Sequence, residues 1–258
     1  MINLSKKIIA FDLDGTLTES KQHLEDDLST LLCRLAEEKI VAIISGGSYE
    51  QFKKQFLPYF KLDKEDKKQI YKNLVLLPTS GSQLYQYSED KKDWQMTEIE
   101  EFPEKIKNKI LFTLNDIIVS NNYGIMPVIE GDEIIEDRHT QISMSALGQH
   151  APIEKKKEWD PDQKKRKEIK ELLESRLPEV SINIGGMTTL DILPKGFDKA
   201  KGLGKLLDKM GISKDDMVFV GDSIYPGGND YSPYEAGIES IKVSGPSETK
   251  EVIRKWLA

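Results

Sequence analysis

The sequence predicts an α/β fold: a parallel sheet interrupted by an inserted α+β segment. Three observations carry this. Short apolar runs of strand character, Ile8–Asp12, Ile40–Ile44 and Leu74–Leu77, alternate with helical patterns in the first third of the chain, as buried parallel strands do. The same alternation returns after Pro194, with Met217–Val220 and Ser240–Val243. Between them, from Asp90 to about Asp191, the strands are amphipathic and the helices face one way, which belongs to an open sheet covered on one side.

The first strand, Ile8-Ile9-Ala10-Phe11, ends in Asp12-Leu13-Asp14-Gly15-Thr16-Leu17-Thr18. Asp12 and Asp14, one residue apart, point the same way, and ligands of such sheets bind beyond the carboxyl ends of the strands. Two close carboxylates need a compensating charge. Mg²⁺ suits an all-oxygen site completed by a phosphate, beside which one aspartate attacks phosphorus and the other moves a proton. A bare Asp-x-Asp fits a polar strand end and turn equally well; the longer string is more specific.

Residues 22–38 read as a helix through Leu24, Leu28, Leu31, Leu32 and Leu35, with Cys33 on its apolar face. The strand at 40–44 runs into Ser45-Gly46-Gly47-Ser48 and a helix from about Tyr49 to Leu57, an arrangement that binds anions at free helix amides. Ser45 is either a phosphoryl ligand or a helix cap. Lys61–Lys72 reads as a solvated connection, and Leu84–Tyr87 as a hairpin arm after Leu74–Leu77.

In the middle segment, 101–120 is helical through Ile106, Ile110, Leu111, Leu114 and Ile117. Met126–Glu130 and Glu133–Glu136 flank Gly131-Asp132 as a hairpin. Gln141–Leu147 alternates as a half-exposed strand. Asp160-Pro161 is read as a cap with proline opening a helix to about Leu177, whose lysines and glutamates form a solvated face. Val180–Ile184 and Thr189–Leu193 are further strands. After Pro194, Lys199 opens a helix to Met210. The strand 217–220 ends in Gly221-Asp222, a loop holds Pro226-Gly227-Gly228-Asn229-Asp230, and Ser247–Leu257 closes the chain.

Composition sets the outer bounds. The chain has 258 residues, 38% hydrophobic and 31% charged, with 37 basic and 44 acidic side chains and a net charge of −7. That balance argues against nucleic acid as a partner. No apolar run approaches the ~20 residues a membrane span needs, and Met1–Lys7 passes straight into the first strand, so no signal peptide is read. One cysteine rules out an internal disulfide and fits a cytoplasmic location.

Four strand ends thus offer what phosphoryl transfer needs: Asp12 with Asp14, Ser45, Lys199, and Asp222 followed by Asn229 and Asp230. Lys199 alone reads as a surface lysine and Asp222 as a turn cap; their order in the chain is the argument. That order resembles the four motifs of the haloacid dehalogenase (HAD) superfamily. The resemblance implies a Rossmann-like parallel core, residues 1–87 and 194–258, with an α+β cap of the C2B type at 88–193. It implies Asp12 as the phosphorylated nucleophile, Asp14 as acid/base, and Ser45 and Lys199 as phosphoryl ligands. Mg²⁺ would be held by Asp12, the Asp14 carbonyl and Asp222, supported by Asn229 and Asp230.

Within that superfamily, Pro226–Asp230, Gly185–Asp191 and Pro194–Lys199 are similar to eukaryotic-type phosphomannomutases. The similarity implies substrate contacts at Arg138, Thr189 and Asp191, with Ser143, Ser145 and Gln149 also on the cap. Gln149 stands where that family has a second arginine, and Lys156 near a third; a neutral amide grips a phosphate less well than an arginine. The expected activity is hydrolysis of a sugar phosphate or a similar small phosphomonoester. The alternatives are interconversion of mannose 1-phosphate and mannose 6-phosphate and, behind both, a non-catalytic sugar-phosphate binder. A homodimer paired through the cap is a further implication.

Overall fold

The computed structural model describes residues 5–19, 22–60 and 67–258. By internal packing the chain forms two compact units, Met1–Ile99 with Lys199–Ala258, and Glu100–Asp198.

The first unit is built on a seven-stranded sheet. Its strands are β1 (Ile8–Asp12), β2 (Ile40–Ile44), β3 (Leu74–Leu77), β4 (Gln83–Ser88), β5 (Asp93–Ile99), β10 (Met217–Gly221) and β11 (Glu239–Lys242), in the order β11-β10-β1-β2-β3-β4-β5. β11, β10, β1, β2 and β3 run parallel, whereas β4 and β5 turn back antiparallel. Strand alternation divides the apolar side chains between two cores. Ile9, Phe11, Val41, Ile43, Leu74, Leu76, Val218 and Val220 pack with α1 (Asp26–Glu38) and α9 (Pro246–Leu257). Ile8, Ala10, Ala42, Ile44, Val75, Leu77, Met217 and Phe219 pack with Leu203, Leu206 and Leu207 of α7 (Lys199–Met210). Each fully buried Leu or Ile contributes about 1.5–3 kcal/mol. Burial on both faces explains why these strands read as continuous apolar runs. Cys33 is buried in the first core.

The second unit has a four-stranded antiparallel sheet of β6 (Ile135–Asp137), β7 (Ile142–Ser145), β8 (Val180–Ile184) and β9 (Thr189–Pro194), ordered β6-β7-β9-β8. One face, Ile142, Met144, Leu190, Ile192, Val180 and Ile182, packs on α4 (Glu104–Ser120) and α6 (Lys164–Arg176).

Several elements differ from expectation. The boundary placed at residue 88 falls at Glu100, because β5 pairs with β4 along its length and so belongs to the larger sheet. The other boundary, placed at 194, falls at Lys199. The segment 61–72 is not all connection: its first part, 61–66, lies outside the described residues, but Lys67–Asn73 is a helix, α3, held by the burial of Ile70 in the first core. The hairpin across Gly131-Asp132 does not form. Met126 and Val128 donate instead to the carbonyls of Ala146 and Leu147. The Asp132 carboxylate takes the His150 amide at 2.8 Å and its Nδ1 at 2.9 Å, which draws the turn to the loop after β7. Pro161 does not open α6, which starts at Lys164. Asp160 still caps it, accepting from the amides of Lys165 at 2.9 Å and Arg166 at 3.1 Å.

Candidate active site

The ends of β1 and β10 lie side by side in parallel register. The side chain that closes β1, Asp12, therefore stands near Asp222, which follows β10. The loop after Asp222 brings back Asp230, and one carboxylate oxygen from each of Asp12, Asp222 and Asp230 lies within 4.8 Å of the others. Asp12 and Asp230 are buried. Gly15, at φ +88°, and Gly221 make room: a Cβ on Gly15 would meet the Asp222 carboxylate at 2.9 Å, and one on Gly221 would meet Asp230 at 2.6 Å.

Lys199, the first residue of α7, spans two of these acids. Its Nζ donates to Asp12 Oδ1 at 2.5 Å and to Asp230 Oδ1 at 2.6 Å, all three side chains being almost wholly buried. Burial works against the ammonium, but Asp12 and Asp230 outweigh it and hold its pKa above the usual lysine range. Burial raises Asp12 well above the carboxylate range, and the charge of Asp230 adds to this. Asp222 is raised by the same two causes. Ser223 donates from its amide to Asp230 at 3.1 Å and from its hydroxyl to Asp222 at 3.1 Å. One lysine among three close carboxylates leaves negative charge uncompensated, and an all-oxygen donor set of this size suits a hard divalent cation.

Asp14 takes a different part. Its Oδ2 accepts from Gln51 Nε2 at 2.9 Å and its Oδ1 from Gln55 Nε2 at 2.8 Å. Both glutamines belong to α2 (Tyr49–Gln55), and Gln55 also reaches Thr18 Oγ1 at 2.6 Å. The Asp14 carboxylate is thus oriented by side chains, and its expected share in metal binding concerns the backbone carbonyl. Ser45 is buried at the end of β2 and accepts from the Gly47 amide at 3.0 Å. The hydroxyl caps its own turn and keeps its hydrogen to donate. Asn229 is exposed next to buried Asp230.

In the second unit, register brings the expected cap residues together: Ser143 pairs with Asp191 and Ser145 with Thr189 across β7 and β9. Asp191 Oδ1 accepts from Ser143 Oγ at 2.5 Å and from Gln141 Nε2 at 2.9 Å. Burial raises the Asp191 pKa, against the pull of Arg138. Ser145 and Thr189 hydroxyls are 3.2 Å apart. Arg138 is paired with Glu136 at 2.7 Å. Gln149 sits in the loop after β7, where its carbonyl accepts from Lys156 Nζ at 2.9 Å.

Sequence reasoning missed Gln51, Gln55, Gln141 and Arg166. The first two carry a readable signal, an i,i+4 polar pair on the helix that follows the Ser45 turn. Gln141 shares the period-two face of Ser143 and Ser145. Arg166, among solvated lysines, is buried: Nε meets Asp160 Oδ2 at 2.7 Å and Nη1 meets the Gly185 and Gly186 carbonyls.

A buried aspartate–lysine cluster at the carboxyl ends of a parallel sheet, with room for a divalent cation, defines an aspartate-centred enzyme site. Residues 9–232 match the family model described as haloacid dehalogenase-like hydrolase, and the chain belongs to that family. Among its relatives is a protein named phosphomannomutase from Encephalitozoon cuniculi, 26% identical over 95% of this chain and 91% of that one. Another phosphomannomutase, from Schizosaccharomyces pombe, is 25% identical over 97% and 94%. An N-terminally truncated IMP-nucleotidase of Plasmodium falciparum superposes with a TM-score of 0.71 at 20% identity, covering 98% of this chain and 70% of that one. A haloacid dehalogenase-like hydrolase from Bacteroides thetaiotaomicron gives 0.60 at 18%, covering 97% and 99%. At those identities the two structures show a shared fold. Among the described residues no helix is long and apolar enough to cross a membrane.

Proposed function

We propose that this enzyme transfers a phosphoryl group between a sugar phosphate and Asp12, with Mg²⁺ as the cation held at Asp12, Asp222 and the Asp14 carbonyl, backed by Asn229 and Asp230. The observation that carries this is the Asp12–Lys199–Asp230 chain of hydrogen bonds beside Asp222. Mg²⁺ would supply positive charge to the phosphoryl oxygens. An Asp12 oxygen forms the bond to phosphorus, and the sugar oxygen leaves with a proton from Asp14. Lys199 and the Ser45 hydroxyl stabilise the equatorial oxygens. Gln51 and Gln55 keep the Asp14 carboxylate in one orientation between turnovers.

The aspartyl phosphate has two fates. Attack by a sugar hydroxyl, whose proton Asp14 takes back, gives a mutase; attack by water gives a phosphatase. The full-length phosphomannomutase relatives favour the mutase, and interconversion of mannose 1-phosphate and mannose 6-phosphate is the reading adopted. Arg138, Ser143, Ser145, Thr189 and Asp191 then contact the sugar or its second phosphate. Hydrolysis is the second reading on one observation, Gln149 in place of a phosphate-gripping arginine. Cys33, the single cysteine of the sequence, is buried, which suits a cytoplasmic enzyme.

A paired assay decides. The protein is incubated with Mg²⁺ and mannose 1-phosphate, with and without a trace of a hexose 1,6-bisphosphate, and both mannose 6-phosphate and free phosphate are followed. Isomerisation that needs the bisphosphate supports the mutase. Steady phosphate release without isomerisation supports the phosphatase. Absence of metal-dependent turnover of any sugar phosphate overturns both.

A further inference from the structure

Between β3 and β4 the chain makes a turn that the proposed chemistry does not itself use. Thr79, Ser80 and Gly81 are consecutive residues in the left-handed region, at φ +50°, +58° and +83°. Such a conformation is uncommon for any residue with a Cβ, and for β-branched Thr79 it is an outlier. A run of this kind persists only where its surroundings over-determine it. All three residues are buried, and the Ser82 hydroxyl pins the turn from within, reaching the Thr79 carbonyl at 2.8 Å and its Oγ1 at 2.7 Å.

Two sets of contacts hold the turn. On one side the amide of Thr79 donates to the Gly47 carbonyl at 2.8 Å, and that of Ser80 to the Ser45 carbonyl at 2.8 Å; the Ser45 amide in turn donates to Leu77 at 3.1 Å. The loop that carries Ser45 is therefore fastened along its backbone to the end of β3 and to the turn. On the other side Gly81 abuts α7 without an intervening side chain. A Cβ on Gly81 would lie 2.6 Å from the Gly202 Cα, and one on Gly202 would lie 2.4 Å from the Ser80 carbonyl oxygen. Gly202 is one helical turn beyond Lys199.

We propose that the Thr79–Ser80–Gly81 turn is a positioning element for phosphoryl transfer, setting the Ser45 loop and the first turn of α7, with Lys199, at a fixed spacing. The left-handed conformation brings both amides onto the Ser45–Gly47 carbonyls while Gly81 touches Gly202. Ser45 and Lys199 as joint phosphoryl ligands belong to the function proposed above, and the inference rests on that reading.

Ser80→Val tests it, since a β-branched side chain disfavours φ +58°, against Ser80→Asn and Ser80→Gly, which accept it. Kinetics with Mg²⁺, mannose 1-phosphate and a trace of glucose 1,6-bisphosphate are run well below the lowest melting temperature of the set. The expected result is a fall in kcat of about 10- to 100-fold for Ser80→Val, with KM much less affected, and recovery of most of that loss in Ser80→Asn and Ser80→Gly. Hydrogen exchange at residues 45–47 should be faster in Ser80→Val. Should that variant not fold, Ser82→Ala, which removes the hydroxyl that pins the turn, should give a smaller loss of the same kind. A kcat within twofold of wild type together with unchanged exchange, in the folded variant of the pair, overturns the proposal. So does an equal loss in all three Ser80 variants. If the wild-type protein turns over no phosphosugar, the functional reading fails, and the exchange of residues 45–47 alone decides whether the turn holds the loop.

Discussion

Replacing Asp160 should unfasten the second unit, and the structure sets the size of the effect. Its carboxylate caps α6 through the amides of Lys165 and Arg166 and pairs with Arg166 Nε; both side chains are buried, at 1% and 5% exposure. Loss of one partner of a buried pair costs about 3–5 kcal/mol, and loss of a cap about 1 kcal/mol. Arg166 keeps its bonds to the carbonyls of Asp160, Gly185 and Gly186, which offsets part of this. Asp160→Ala should therefore cost about 3 kcal/mol, lowering the melting temperature by about 6–12 °C. Asp160→Asn keeps an acceptor for the cap and should recover about 1 kcal/mol. The effect also has a pH signature. Burial pushes the Asp160 carboxyl up, but the Arg166 side chain and the amides of Arg166 and Lys165 outweigh it and hold the pKa below the ordinary 3.8. A depressed carboxylate stabilises the fold above its ordinary pKa and loses that contribution as pH falls through its folded value. The gap between wild type and Asp160→Asn should thus be constant from pH 8 to 5 and close below about pH 4. Denaturant unfolding, with hydrogen exchange in α6 and residues 185–188, measures it. A cost below about 1 kcal/mol for Asp160→Ala, or a gap unchanged down to pH 3, refutes the reasoning.

Three further outcomes are expected. Asp12→Asn should lose at least about 10⁴-fold in turnover while keeping the fold, measured by paired kinetics and melting curves. Gly15→Ala places a Cβ 2.9 Å from the Asp222 carboxylate on a backbone at φ +88°, so calorimetric titration with Mg²⁺ should show weakened binding and the assay should show lost turnover. Gly202→Ala drives a Cβ to 2.4 Å from the Ser80 carbonyl and should destabilise the first unit by about 1–3 kcal/mol in denaturant unfolding.

What could be read in the sequence is what repeats along it. Strands buried on both faces leave apolar runs, and so β1, β2, β3 and β10 stood out with the polar residues that close them, Asp12, Ser45 and Asp222. Period-two alternation likewise set Ser143 and Ser145 on one face of β7, opposite Ile142 and Met144 in the core, but the strand expected to be half-exposed is buried on both faces. Elements whose fate is set by a distant partner were less legible. Residues 93–99 carry no mark of the sheet they join; β4 decides it. The turn at Gly131-Asp132 carries a good hairpin signal, and it is overruled by the His150 amide and imidazole 18 residues on.

The same division runs through the site. Each of its acids closes or follows a strand and can be found from local pattern, but the roles come from contacts between segments. Lys199 reads as one lysine among many until it is seen 2.5 Å from Asp12, 187 residues away. Asp14 looks equivalent to Asp12 in the motif, yet one is buried against a lysine and the other is held by two amides of α2. That asymmetry suits the roles proposed for them, Asp12 as nucleophile and Asp14 as acid/base. A nucleophile must be desolvated and charge-balanced before it attacks, whereas an acid/base must reach a leaving oxygen and be steered there by neutral partners that do not take its proton.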